Sequence, residues 1–247
     1  MLFAIFHSIF SQKELFLKKE FIHKGDTLRY RVLFPENYDK SKKYPIVLFL
    51  HGSGERGNNN EKQLIHGSAL FTNPQNRTNF PSIVIFPQCP ENEYWVKLNE
   101  NGNERFSFYE KTEMTKPLFL VKKLLDTYKK SESVDKNRIY VTGLSMGGMG
   151  TFDLICRFPK YFAAAMPICG GVSESRLKKA TNIPIRIFHG TADDVVNVKF
   201  SQNAYNSLKA YGAKKAELIL FQGVNHNSWD SAFAYNGFLS WLYNQKR

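Results

Sequence analysis

The sequence predicts an α/β protein built on a mostly parallel sheet. Three observations predict it: unbroken apolar runs of strand length, amphipathic stretches of helical period between such runs, and a serine set among small residues where a strand hands over to a helix. YPIVLFLHG (Tyr44 to Gly52) and PSIVIFPQ (Pro81 to Gln88) are apolar without alternation, as strands buried on both faces of a parallel sheet are. Alternation of strands and helices then requires right-handed crossovers and helices on both faces.

The chain begins MLFAIFHSIFSQ, apolar enough to resemble the hydrophobic part of a secretion signal, with Ser11 and Gln12 near a cleavage point. It is short and lacks a basic start. Export to the periplasm or beyond is the expectation, with an ordinary apolar lead-in of a cytoplasmic protein as the alternative. Residues 1–25 are thus expected to be a lead-in and the start of a hairpin, and 26–247 a single domain.

TLRYRVLF (Thr27 to Phe34) sets Leu28, Tyr30, Val32 and Phe34 against Arg29 and Arg31, the alternation of a half-buried antiparallel strand. The Lys24-Gly25-Asp26 turn pairs it with the preceding segment. Lys116 to Lys130 places Leu118, Val121, Leu124, Leu125 and Tyr128 on one helical face. RIYVTG (Arg138 to Gly143) is a short buried strand, and Met149 to Phe158 a mostly buried helix. Phe162 to Ile168, Ile183 to Gly190 and Ala216 to Gly223 are the remaining strands; Lys199 to Tyr211 and Ser231 to Tyr243 are the remaining helices. No internal repeat, low-complexity tract or linker interrupts the series.

A chain of 247 residues with 43% hydrophobic and 15% aromatic content suits one large folded domain. Cys89, Cys156 and Cys169 are well separated and lack a C-x-x-C pair, so they read as buried hydrophobes rather than a zinc site or disulfide framework. The net charge of +12 comes from scattered lysine pairs that no helix face collects. With no RNA- or DNA-binding motif, it reads as a solvated basic surface rather than a nucleic-acid interface. Past the N-terminus no stretch approaches membrane-spanning length, so stable membrane insertion is not expected.

The chemistry lies in GLSMGG, residues 143 to 148. A serine at so tight a strand-to-helix turn is forced into a strained backbone, and Gly143 and Gly147 supply room where a Cβ would collide. The helix that follows aims free N–H groups at charge developing beside Ser145. A serine hydroxyl needs a base, and the base an orienting acid, both on loops at the carboxyl ends of strands. Of the six histidines, His7 and His23 precede the parallel sheet and His66 lies between strands. His51 and His189 end strands but run straight into turns that draw them into structural hydrogen bonds. His226, in the polar loop GVNHNSWD past the last strand, is left as the base. HGTADDVV offers Asp193 and Asp194 as the acid, and spacing alone does not choose between them. The oxyanion needs two donors: the backbone N–H of Met146, and one from the Gly-rich loop LHGSGERGN, best placed at Ser53. That loop lacks the Walker lysine-serine pair and the G-x-G-x-x-G spacing of phosphate sites.

With FLHGSGERGN, GLSMGG, HGTADDVV and GVNHNSWD in this order, the sequence resembles the α/β-hydrolase superfamily from about Thr27 to the C-terminus. Within it the chain looks like carbohydrate esterase family 1 (feruloyl and acetyl xylan esterases), polyhydroxybutyrate depolymerase-like esterases and the hydrolase domain of prolyl oligopeptidases. The resemblance implies an α/β-hydrolase fold and Asp193, the first aspartate of H-G-x-x-D, as the acid. It also implies aromatic side chains at the substrate, for which Trp229 and Trp95 are the candidates. Between Cys169 and Asn182 there is no long helical insertion, where many superfamily members carry a lid, so an open, shallow site is expected. The implied activity is that of a serine carboxylesterase needing no metal or organic cofactor, acting on small-molecule or polysaccharide-linked esters such as feruloyl or acetyl groups. The alternatives are a prolyl oligopeptidase-type peptidase and a catalytically silent binding protein.

Overall fold

A computed structural model describes residues 13–98, 106–131 and 133–247. The apolar start at residues 1–12 and residues 99–105 of the loop from Glu91 to Lys111 lie outside them. Lys24 and Gly25 both take positive φ (51° and 87°) and turn β1 (Leu17–His23) back on β2 (Asp26–Leu33). The hairpin is antiparallel, with Leu17 opposite Val32 and His23 opposite Asp26. β1 is the sheet edge, and its LKKE start carries the charge that discourages edge pairing.

The apolar runs become β3 (Tyr44–Leu50) and β4 (Ile83–Pro87), buried at every position. β5 (Val134–Leu144), β6 (Ala164–Ile168), β7 (Ile185–Gly190) and β8 (Ala216–Phe221) complete an eight-stranded sheet in the order β1-β2-β4-β3-β5-β6-β7-β8. From β4 through β8 every pairing is parallel. Alternate residues of β3 feed two cores. Ile46, Leu48 and Leu50 join α3 (Lys116–Lys129), α4 (Met146–Arg157) and α5 (Lys199–Ala210) on one face. Val47 and Phe49 join α6 (Ser228–Ala234) and α7 (Phe238–Tyr243) on the other, together with Phe71 of the short α1 (Ser68–Thr72), which α2 (Pro74–Asn79) follows. This is the α/β-hydrolase architecture that the motifs implied.

Two expectations are corrected. The helix expected over Ser231 to Tyr243 is two, broken where Gly237 turns at φ 86°; the break lets Phe238, Leu239 and Leu242 reach the core. The strand expected from Arg138 begins at Val134, which pairs with Tyr44 ahead of a register shift. The segment between β6 and β7 carries only a 3-10 turn at Glu174–Lys179, so no lid is built there. Cys89, Cys156 and Cys169 are free and buried. Among the described residues no helix is long and apolar enough to cross a membrane.

Candidate active site

β5 delivers Ser145 to the carboxyl end of the sheet at φ 53° and ψ −119°, a backbone conformation of the kind that costs about 1–3 kcal/mol and persists only where the surroundings enforce it. They do so through close approach. A Cβ at Gly143 would meet the Gly147 carbonyl oxygen at 2.5 Å, and one at Gly147 would run into the Leu50 carbonyl. The end of β3 therefore passes directly against the first turn of α4. Ser145 itself donates its N–H to Ile168 O (2.9 Å) and accepts from the Met149 N–H (3.0 Å), so the turn is held from both sides.

His226 swings in from the loop after β8. Its Nε2 lies 2.9 Å from Ser145 Oγ, and its Nδ1 lies 3.0 and 2.9 Å from Asp193 Oδ1 and Oδ2. A nitrogen facing a carboxylate carries the proton, so Nδ1–H donates to Asp193 and Nε2 is left to accept from the hydroxyl. Asn225 ties the two loops together: its Oδ1 accepts from the N–H of His226 (2.6 Å) and of Asp194 (3.1 Å). The neighbouring aspartates part company here, Asp194 exposed and Asp193 with its side chain fully buried. Asp193 Oδ1 also accepts the N–H groups of Val195 (2.9 Å) and Val196 (2.8 Å). Burial alone would raise its pKa, but hydrogen bonds from His189, His226 and Val196 outweigh that and hold the carboxyl well below the usual range.

The two backbone donors expected for an oxyanion sit on either side of the β3–α4 contact. Met146 opens α4, where no preceding helical carbonyl takes its N–H. Ser53 opens the 3-10 turn Ser53–Glu55 directly after Gly52, where a Cβ would meet Leu144 Cδ1 at 2.9 Å. His51 anchors that loop. Cys89 N–H donates to its Nε2 (2.9 Å), so its Nδ1–H donates to Gly52 O (2.6 Å). Burial lowers its pKa to about 4, which keeps the ring neutral.

The tryptophans separate. Trp229 packs edge-on against His226 (5.5 Å between centroids) and at a tilt against His66 (5.1 Å), half-buried beside the site. Trp95 has 0% exposure, so the expectation that it presents a face to substrate is corrected. Its Nε1–H donates to His51 O (3.0 Å) and its ring abuts the His51 ring, so it is an anchor of the same loop. An aromatic residue in a loop signals a need for packing, and the sequence does not say toward which side.

His189 went unassigned from sequence beyond a structural role, yet it touches the acid: Nε2 lies 3.1 Å from Asp193 Oδ2. The signal was available in the H-G-x-x-D motif itself, which puts the two side chains four residues apart across one turn. Among the described residues one cluster of metal-ligating side chains occurs, Cys169, Asp193 and His226, with donor atoms within 4.8 Å of one another. Burial pushes the Cys169 thiol up to about 12, and the His226 and Asp193 atoms already bond each other, so the group fits a protein hydrogen-bond network better than an ion.

The phospholipase/carboxylesterase family model matches residues 37–235. A solved thermostable esterase is 34% identical with a TM-score of 0.87, covering 96% of this chain and 64% of its own. Feruloyl esterase D of Neurospora crassa is 27% identical over 187 residues, 70% of this chain and 56% of that protein. A bifunctional acetylxylan esterase/xylanase of Neocallimastix patriciarum is 29% identical over 154 residues, 62% of this chain. The chain spans 20% of the latter's length, so it corresponds to a part of each of these three relatives.

Proposed function

Because the chain belongs to the phospholipase/carboxylesterase family, we propose that it is a serine carboxylesterase in which Ser145, His226 and Asp193 form the catalytic triad. The observation that carries this is the unbroken line of contacts from Ser145 Oγ through the His226 ring to Asp193, each at 2.9 to 3.0 Å.

His226 Nε2 takes the Ser145 proton as Oγ attacks the ester carbonyl, and the carbonyl oxygen becomes an anion held by the Ser53 and Met146 N–H groups. Asp193 keeps the imidazole in the Nδ1–H tautomer and stabilises the imidazolium. Collapse of the tetrahedral species expels the alcohol, which His226 protonates, leaving an ester between Ser145 and the acyl group. Water, deprotonated by His226, then attacks that ester and the acid departs. Residues on hand supply every proton transfer and all charge stabilisation.

The substrate class we assign is a feruloyl or acetyl ester carried on plant polysaccharide, with Trp229 as the aromatic beside the acyl or sugar group. What supports it is the likeness to an acetylxylan esterase/xylanase and a feruloyl esterase, together with the absence of a lid between β6 and β7. Such polymers lie outside the cell, which agrees with export directed by the apolar start, and we propose residues 26–247 as the catalytic domain. A fluorophosphonate probe labelling wild type but not Ser145→Ala tests the triad. A hydrolysis screen pairing aryl esters with feruloylated and acetylated xylan fragments and with proline-containing peptides tests the substrate. Failure to label the intact protein removes the enzyme reading, and peptide cleavage at rates comparable to esters replaces it with a peptidase.

A further inference from the structure

We infer that His189 is a positioning residue for the reaction: a second, buried imidazole that fixes the Asp193 carboxylate from the side opposite His226 and so sets the orientation of the base. The inference rests on the triad proposed above, and it concerns a residue to which neither the motif nor the relatives' names give a role.

The argument begins with the ring's proton. His189 Nε2 faces two acceptors, Asp193 Oδ2 at 3.1 Å and the Val196 carbonyl at 2.8 Å. A nitrogen between two oxygens that cannot donate must itself carry the hydrogen, shared between them. Nδ1 then faces Ser201 Oγ at 2.6 Å, and Ser201, fully buried near the start of α5, supplies the hydroxyl that donates to it. This chain of bonds, Ser201 to His189 to Asp193 to His226 to Ser145, fixes one tautomer of each imidazole. Both the His189 and Asp193 side chains are 0% exposed, so no water substitutes for a lost partner.

Oδ1 is pinned by the N–H groups of Val195 and Val196, which belong to the acid's own loop. Among the described residues, Oδ2 bonds only the two imidazoles. His226 is the group whose orientation must be controlled, so it cannot also be the fixed reference. His189, held by Ser201 and the Val196 carbonyl, is that reference. Without it Oδ2 loses its fixed partner while Oδ1 stays held by the two N–H groups, so the carboxylate tilts about Oδ1 and the plane in which Nδ1–H is received tilts with it. In a catalytic array a misplacement of about 1 Å costs about 100-fold.

Three variants test the idea. His189→Leu removes the donor at similar volume, His189→Gln returns an amide N–H near the Nε2 position, and Ser201→Ala removes the hydroxyl that locks the tautomer. Rates are expressed per active site, counted by fluorophosphonate titration, so unfolded protein does not enter. His189→Leu is expected to lose about 10- to 100-fold in kcat with KM within about twofold, because only the transition state uses the oriented base. His189→Gln recovers most of that loss. Ser201→Ala loses less than His189→Leu, and the low-field proton resonance of the Asp193–His226 hydrogen bond shifts. A structural role alone would lower stability yet leave kcat per site and that resonance unchanged, and this result overturns the inference. So does a Gln variant as slow as the Leu variant. Should His189→Leu not fold, Ser201→Ala with unchanged kcat and resonance is the overturning outcome. If wild type itself is not labelled, the triad reading fails rather than this one.

Discussion

Two histidines in this protein share a local sequence and do opposite things. His51-Gly52 closes β3 and His189-Gly190 closes β7; both rings are buried at the carboxyl end of the sheet, and both are hydrogen-bond hubs. His51 carries its proton on Nδ1 and joins two backbone segments, the Cys89 N–H and the Gly52 carbonyl. His189 carries its proton on Nε2 and joins a carboxylate to α5. The same dipeptide thus braces the oxyanion side of the site in one place and the acid side in the other. What decides between them is which polar groups the following loop brings to each ring nitrogen, a tertiary property that the dipeptide does not carry.

The largest expected effect falls on the acid side. Asp193→Asn replaces an acceptor with a group able to donate toward His226, turning the imidazole to the wrong tautomer, and lowers kcat by about 10,000-fold. Asp194→Asn, on the exposed neighbour, stays within about twofold. Initial rates on one aryl ester decide the pair, and equal losses would dissolve the distinction that burial draws between the two aspartates.

On the oxyanion side, His51→Leu strands the Cys89 N–H in a dry interior, leaves the Gly52 carbonyl to the Glu55 N–H at 3.4 Å, and loosens the loop that presents Ser53. Removing one oxyanion donor typically costs about 100- to 1,000-fold in kcat, and this indirect release is expected near the lower end. It differs from His189→Leu in that a transition-state-like phosphonate reacts more slowly as well, since the anion it forms needs the same donors. Phosphonylation rates beside ester kcat values separate the two bracing roles.

Much of this was legible from sequence because short-range chemistry dictated it. The apolar runs of β3 and β4 left no other burial pattern, and GLSMGG required the positive φ at Ser145 that the structure shows. Chain order and strand ends brought Ser145, Asp193 and His226 to one rim. What could not be read depends on packing across the chain. Apolar spacing continues across Tyr235 to Gly237, and the left-handed turn at Gly237 (φ 86°) divides the helix so that Phe238 and Leu239 reach the core. Trp95 and Trp229 look alike in sequence, yet one ring turns inward and the other stays at the site. His189 was visible as a motif residue, and its partner Ser201, twelve positions away, was not.

His51 also predicts how the fold responds to acid. In the folded protein its pKa is lowered to about 4, against 6.5 for the ordinary group, because burial penalises the charged ring. Between those values the unfolded chain binds the extra proton, so stability is complete above about pH 6.5 and falls as the pH drops toward 4. The loss over that interval is about 3 kcal/mol from this residue. Asp193, held below the usual range, adds its own loss at lower pH as its carboxylate becomes protonated on unfolding. Urea unfolding at pH 7.5 and 4.5 measures the first window, and His51→Gln is expected to flatten it. An unchanged slope in that variant would move the acid sensitivity elsewhere.

The smallest effects distinguish the two tryptophans, Trp95 packed against His51 and Trp229 against His226. Trp95→Phe keeps the ring in its pocket but loses the Nε1–H bond to the His51 carbonyl, a loss of about 1 kcal/mol in stability. KM is unchanged, because the Trp95 ring itself is 0% exposed. Trp229→Ala acts the other way. The ring it removes is half-buried and stands edge-on to His226, so stability changes less, while KM for aryl and feruloyl esters rises several-fold with the loss of an aromatic contact worth about 1 kcal/mol. Thermal melts and Michaelis curves on the two proteins give a crossed pattern if the inward ring braces and the outward ring binds. A KM change confined to Trp95→Phe would reverse the assignment and place the substrate on the far side of the oxyanion loop.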